Sequence, residues 1–287
     1  MMSFFLYKTI LKGMMAMNRG FKRNEIDGVV FYTIPAFENI GKVKHLFSTR
    51  IGGVSSGHYS SLNLSLTRYD DKESVYENFN RICHVANINY NDMVFSNQVH
   101  SDGIRIVNES DKGKNFGISD IKNADALMTN ERGIPIVTFY ADCTPLYFLD
   151  PVKNVIALVH AGWRGTVKEI GPKTVETMVT AFGSDKKDIL AAIGPAIGIC
   201  CYEVGKDVAD EISRLNIDID DVLLDKGDGK WMLNLEMTNY YELINCGIKD
   251  KNITISGLCT SCNIDEFYSY RRDKGITGSM AAFMELI

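Results

Sequence analysis

Two apolar runs, Leu146 to Leu149 and Val155 to Val159, flank the turn-rich segment Asp150-Pro151-Val152-Lys153-Asn154. This pattern predicts a β-hairpin whose strands are too apolar to face water. Facing residues of an antiparallel pair have a constant sum of residue numbers. Taking the turn centre between Pro151 and Val152 gives 303, which sets Cys143 directly against His160. Directly opposed residues share a face with Cβ atoms about 4.5–5.5 Å apart, so a thiolate and an imidazole would reach one ion.

Around this hairpin, strands are expected over Val29 to Ile34, Val43 to Thr49, Met93 to Gln98, Gly103 to Val107, Ala126 to Thr129, Ile134 to Tyr140 and Ile189 to Ile193. Helical spacing of Val75, Phe79, Ile82 and Cys83 predicts a helix over about Ser74 to Ala86. Further helices are expected over Thr166 to Phe182, Asn234 to Asn245 and the closing Gly278 to Leu286. Strands and helices mix without strict βαβ alternation, which favours α+β with a large mixed or antiparallel sheet. Arg50 to Gly57 reads as a glycine-rich loop.

The 287 residues are 45% hydrophobic and 23% charged, enough for a sizeable core, and no Pro/Gly/Ser-rich linker divides them. A single domain over 21–287 is expected. The preceding 1–20, with Met14, Met15 and Met17 inside it, reads as a frayed terminus or a start placed too early. A net charge of -5 with scattered Lys and Arg argues against nucleic acid as a partner. No run of about twenty apolar residues suggests a membrane span. Seven cysteines, an odd number in a chain too long to need disulfides, point to a reduced cytoplasmic protein.

His100 in Asn97-Gln98-Val99-His100 ends a strand-like run and is the candidate third ligand beside Cys143 and His160. Three His/Cys ligands with one open position suit catalytic Zn²⁺, and Cu²⁺ is possible with the same donors. Two other readings stand beside this one. His160 and Cys143 could be ordinary core residues, or Cys143 could be a nucleophile with a histidine base.

Asn97-Gln98-Val99-His100, Ala141-Asp142-Cys143-Thr144-Pro145, Val159-His160-Ala161-Gly162-Trp163-Arg164-Gly165 and Ile193-Gly194-Pro195-Ala196-Ile197 resemble the laccase-domain family. Its members are variously named polyphenol oxidases, peptidoglycan editing factors and purine nucleoside phosphorylases. The likeness runs from Phe47-Ser48-Thr49-Arg50 to Phe267-Tyr268-Ser269-Tyr270-Arg271-Arg272-Asp273. It implies a layered α/β/β/α fold with mixed sheets and a zinc site at His100, Cys143 and His160. It further implies phosphorolysis of adenosine, inosine and methylthioadenosine, with adenosine deamination beside it.

Given those substrates, Arg50 and Arg164 are candidates to clamp phosphate and Gln98 to contact the nucleoside. Asp142 is a candidate proton shuttle, although in a strand it would point away from Cys143 and orient the site instead. A copper-dependent phenol oxidase and a cysteine-type amide hydrolase editing cell-wall precursors remain as alternatives. The oligomeric state stays open. Cys259-x-x-Cys262 lacks a second well-spaced pair, and adjacent Cys200-Cys201 is awkward for a tetrahedral site, so these four are expected to be buried or mildly reactive thiols. Tyr270-Arg271-Arg272-Asp273 could bring an Arg near the site, with a solvated strand end as the preferred reading.

Overall fold

The computed structural model describes residues 20–65, 67–115 and 119–287. The expectation for the N-terminal stretch concerns residues that, Gly20 apart, lie outside those described.

The strands in chain order are β1 (Lys22–Ile26), β2 (Val29–Thr33), β3 (Val43–Ser48), β4 (Val94–Phe95), β5 (Ile104–Ile106), β6 (Ala126–Thr129), β7 (Ile136–Tyr140) and β8 (Thr144–Asp150). They continue with β9 (Val155–Ala161), β10 (Leu190–Ile193), β11 (Glu203–Gly205), β12 (Leu223–Gly227), β13 (Lys230–Leu233), β14 (Ile253–Ile255) and β15 (Met280–Leu286). One six-stranded sheet has the order β1-β2-β3-β15-β7-β4, a second β14-β10-β8-β9-β6-β5, and a small third β11-β13-β12. Parallel pairs β4–β7, β5–β6 and β10–β14 make both large sheets mixed.

Alternation along the strands explains why two sheets stack. In β9, Ile156 and Leu158 join Tyr147, Leu149, Phe47 and Met284 in a core between the sheets. Val155, Ala157 and Val159 face the other way, against Val175 and Met178 of helix Ile170–Phe182 and Leu243 of helix Leu235–Asn245. Helix Lys72–Ala86 covers the first sheet in the same manner, with Val75, Phe79 and Ile82 on Val29, Leu46 and Phe283. Its N-terminus is capped by Asp71, whose carboxylate accepts from Ser74 N at 2.8 Å. The result is the expected α/β/β/α layering of an α+β fold.

Three expectations are corrected. The closing segment is not a helix: it is β15, fully buried at the centre of the first sheet between β3 and β7. Met280, Ala282 and Met284 enter the inter-sheet core while Ala281 and Phe283 face the helix, and a run apolar on both faces carries no period to separate strand from helix. The helix expected from Thr166 is broken, with Trp163–Thr166 ending before Ile170–Phe182 and left-handed Glu169 (φ 57°) between them. Finally, Pro145, not Cys143, faces His160, and every pair in the hairpin sums to 305. Asp150 Oδ1 accepts from both Val152 N (2.8 Å) and Lys153 N (2.9 Å), closing a turn over 151–154 whose centre lies one residue later than expected.

Candidate metal centre

A register offset of two residues leaves side chains on their original faces. Cys143 therefore stays on the inter-sheet side with His160, just beyond the end of the β8–β9 ladder. His160, the penultimate residue of β9, is 3% exposed, while His100 arrives from the loop after β4. The Cys143 Sγ lies 3.8 Å from His100 Nε2, and the two imidazoles meet edge to face at 4.7 Å. One ligand atom from each of the three residues falls within 4.8 Å of the others, so the group could hold a metal ion.

A residue that sequence reasoning missed organises this group. Asp125, fully buried ahead of β6, accepts from His160 Nδ1 at 2.8 Å, which leaves Nε2 for a ligand role. The same carboxylate accepts from the backbone N–H groups of Val99 (3.2 Å), His100 (3.0 Å) and Ser101 (2.7 Å). His100 itself has φ 59°, a conformation that costs on the order of 1–3 kcal/mol and persists where surroundings over-determine it. Burial alone would raise the Asp125 pKa, but the His160 and Ser101 hydrogen bonds outweigh it and hold the carboxyl down at about 2.

Burial likewise works against charge on Cys143 and His160. The His160 charge and hydrogen bonds from both histidines nevertheless pull the thiol down, and Cys143 with Asp125 push His160 up. Both shifts favour a thiolate facing a protonated imidazole, and a metal ion binding there would displace that proton. Gly162 allows the approach: a Cβ there would lie 3.0 Å from Cys143 Sγ and 3.1 Å from His100 Cδ2.

The centre opens into a cleft of about 730 Å³ lined by Arg68, Arg164 and Arg271 and by the aromatic rings of Phe95, Phe139, Tyr140, Trp163, Tyr202 and Tyr270. Arg164 stacks on Trp163 at 4.4 Å, Arg271 on Tyr202 at 5.1 Å and Arg68 over Tyr270 at 5.8 Å. Among the described residues the only carboxylate in the lining is Asp142.

The anticipated residues separate into distinct places. Asp142 is buried with both oxygens occupied, by Thr260 Oγ1 (2.6 Å), Ser269 Oγ (3.0 Å) and Arg271 N (2.7 Å). It ties the chain ends of the cleft together. Gln98 exchanges two hydrogen bonds with the Phe139 backbone (2.8 and 3.0 Å), continuing the β4–β7 pairing by a side chain. Arg50 is absent from the lining, its guanidinium bonded to the carbonyls of Ser60 (2.8 Å) and Ile264 (3.2 Å) and stacked on Tyr268. Residues 270–273 are not a strand end: they form a turn that delivers Tyr270 and Arg271 to the cleft.

The family model described as "Multi-copper polyphenol oxidoreductase laccase" matches residues 44–287. The chain belongs to this laccase-domain family. Within the family, it is 36% identical over 240 residues to purine nucleoside phosphorylase YlmD of Bacillus subtilis, covering 83% of this chain and 86% of that protein. Identity to the human purine nucleoside phosphorylase LACC1 is 32%, covering 84% of this chain and 55% of the relative. Among solved members, the structure of YlmD from Geobacillus stearothermophilus superposes with a TM-score of 0.85 at 33% identity, covering 93% of this chain and 98% of the other. Curated relatives carrying the phosphorylase name support enzyme status for this chain. No helix among the described residues is long and apolar enough to cross a membrane.

Proposed function

We infer that the protein is a cytoplasmic, zinc-dependent purine nucleoside phosphorylase acting on adenosine, inosine and S-methyl-5'-thioadenosine. Its products would be the free base and ribose 1-phosphate or methylthioribose 1-phosphate, and adenosine deamination belongs to the same proposal. The observation that carries this reading is the pairing of a His100/Cys143/His160 centre with a cleft whose three arginines stack on aromatic rings. Phosphate needs the cations and a purine needs the rings. The names of the relatives point the same way.

His100, Cys143 and His160 would hold the zinc, a donor set that fits a catalytic ion with one position left open. Bound there, zinc would supply Lewis acidity beside the substrate. Arg164, exposed and hydrogen-bonded to no described residue, is the first candidate for the phosphate, with Arg271 and Arg68 beside it. Asp142, its oxygens already occupied, acts as a positioning residue for Arg271. Gln98 holds the Phe139 wall and lines the cleft where the nucleoside would bind. The seven free thiols accord with a reducing compartment.

The test is to incubate metal-analysed protein with each nucleoside, with and without phosphate, and identify products by mass. Base and sugar 1-phosphate formed only with phosphate support the reading, and their absence sinks it. Parallel incubation with phenols under oxygen examines the copper oxidase reading.

A further inference from the structure

Cys200 and Cys201 lie in a turn after β10, and Cys259 and Cys262 in another after β14, some sixty residues later. The fold brings the two turns together. Cys200 and Cys201 Sγ stand 3.3 and 3.4 Å from Cys262 Sγ, and all four sulfurs lie within 4.8 Å of one another. The missing second pair for Cys259-x-x-Cys262 is therefore Cys200-Cys201. None of the four is buried, so of the expected alternatives, buried or mildly reactive thiols, the first does not hold and packing does not account for them.

Four sulfurs around one ion with Zn–S near 2.3 Å would sit roughly 3.8 Å apart, a spacing the present cluster brackets. The backbone prepares the site as well. Gly198 N donates to Cys259 Sγ at 3.2 Å, the type of hydrogen bond that stabilises a thiolate, and Cys201 N and Tyr202 N close the turn on Gly198 O. A Cβ on Gly198 would lie 3.1 Å from Cys259 Cβ and 3.2 Å from Cys200 Sγ, so this glycine gives the turn room beside the sulfurs. A bridge from Ala196 to Cys259 fixes one turn against the other.

We propose that Cys200, Cys201, Cys259 and Cys262 bind a second, structural zinc ion, distinct from the His100/Cys143/His160 centre. Four protein ligands close the coordination sphere, so the ion performs no chemistry on substrate. Its position gives it another task. Tyr202, which lines the cleft under Arg271, follows Cys201 directly, and Thr260, which holds Asp142, follows Cys259. The ion would clamp the two turns that carry this wall.

Replacing Cys143 with Ala removes the only thiolate of the first centre, so thiolate-to-metal signals in that variant report on the cluster alone. Cys143→Ala protein, purified under reducing conditions and loaded with Co²⁺, is expected to show the strong thiolate-to-cobalt charge-transfer absorption of a tetrathiolate site. Loaded with zinc, it is expected to retain one equivalent after dialysis. The further Cys259→Ser/Cys262→Ser changes should abolish both. A Cys143→Ala protein that retains no metal and shows no such absorption overturns the proposal, as does recovery of the four cysteines as disulfides from that preparation. Neither result depends on whether the protein cleaves nucleosides.

Discussion

Asp125 reaches His160 Nδ1 at 2.8 Å and, with the same carboxylate, the backbone N–H of His100 at 3.0 Å. One buried side chain thus sets the ring orientation of one candidate ligand and the backbone of another. Partners of this type typically contribute 10–100-fold to metal affinity. Asp125→Ala is expected to weaken zinc binding by about that factor, read by competition with a chromophoric chelator. Unchanged affinity would mean that the hydrogen bonds do not organise the centre.

Gly162 offers a steric counterpart. The 3.0 Å approach of an added Cβ to Cys143 Sγ is tighter than carbon and sulfur tolerate, so Gly162→Ala should lose metal while the far-ultraviolet circular dichroism stays native. A variant with full metal content would show that the sulfur moves aside freely.

For the cleft cations, an arginine hydrogen-bonded to phosphate is worth about 1.5–3 kcal/mol. Arg164→Ala should therefore raise the apparent phosphate KM roughly tenfold or more, with little change in thermal midpoint. Arg50→Ala should do the reverse, because Arg50 bonds the carbonyls of Ser60 and Ile264. Steady-state kinetics and thermal melts on both variants distinguish the two roles.

Glu242, in helix Leu235–Asn245, is buried with no hydrogen-bond partner on either oxygen. Burial, assisted by Glu169, pushes its carboxyl up to about 9. Between the ordinary carboxyl pKa and that value the folded chain holds a proton that the unfolded chain has released, so stability should fall as pH rises from about 4.5 to 9. Glu242→Gln should flatten this slope. Urea midpoints at pH 5.5 and 8.5 should show the variant gaining most at pH 8.5, by up to about 4 kcal/mol. Parallel curves for the two proteins would place the titration elsewhere.

What could be read from sequence followed periodicity and local turn chemistry. The helical stripe of Val75, Phe79, Ile82 and Cys83 and the uniformly apolar hairpin strands were legible, although the helix starts at Lys72, two residues before the Ser74 expected. The register missed by two because the turn that Asp150 closes is centred one residue later than expected, yet the even offset spared the pairing of faces that put Cys143 and His160 together. Met280–Leu286 was misread because a strand buried on both faces shows no alternation. Asp125 and Arg68 gave no local signal: their roles arise only where distant loops meet. The Cys200/Cys201 and Cys259/Cys262 pairs were visible separately, and it is the pairing of β10 with β14, continued by the Ala196–Cys259 bridge, that makes them neighbours.

The position of β15 has a consequence for biosynthesis. Residues 280–286 lie far downstream of β7 in the chain, yet they supply the strand between β3 and β7. Until they emerge, β7 lacks its antiparallel neighbour, and Tyr140 and the Asp142–Cys143 segment hang from an unfinished edge. The first sheet can therefore close over the β8–β9 hairpin only after Met280–Leu286 has been made, so a ribosome-stalled chain ending before Met280 would leave the inter-sheet core open on that side.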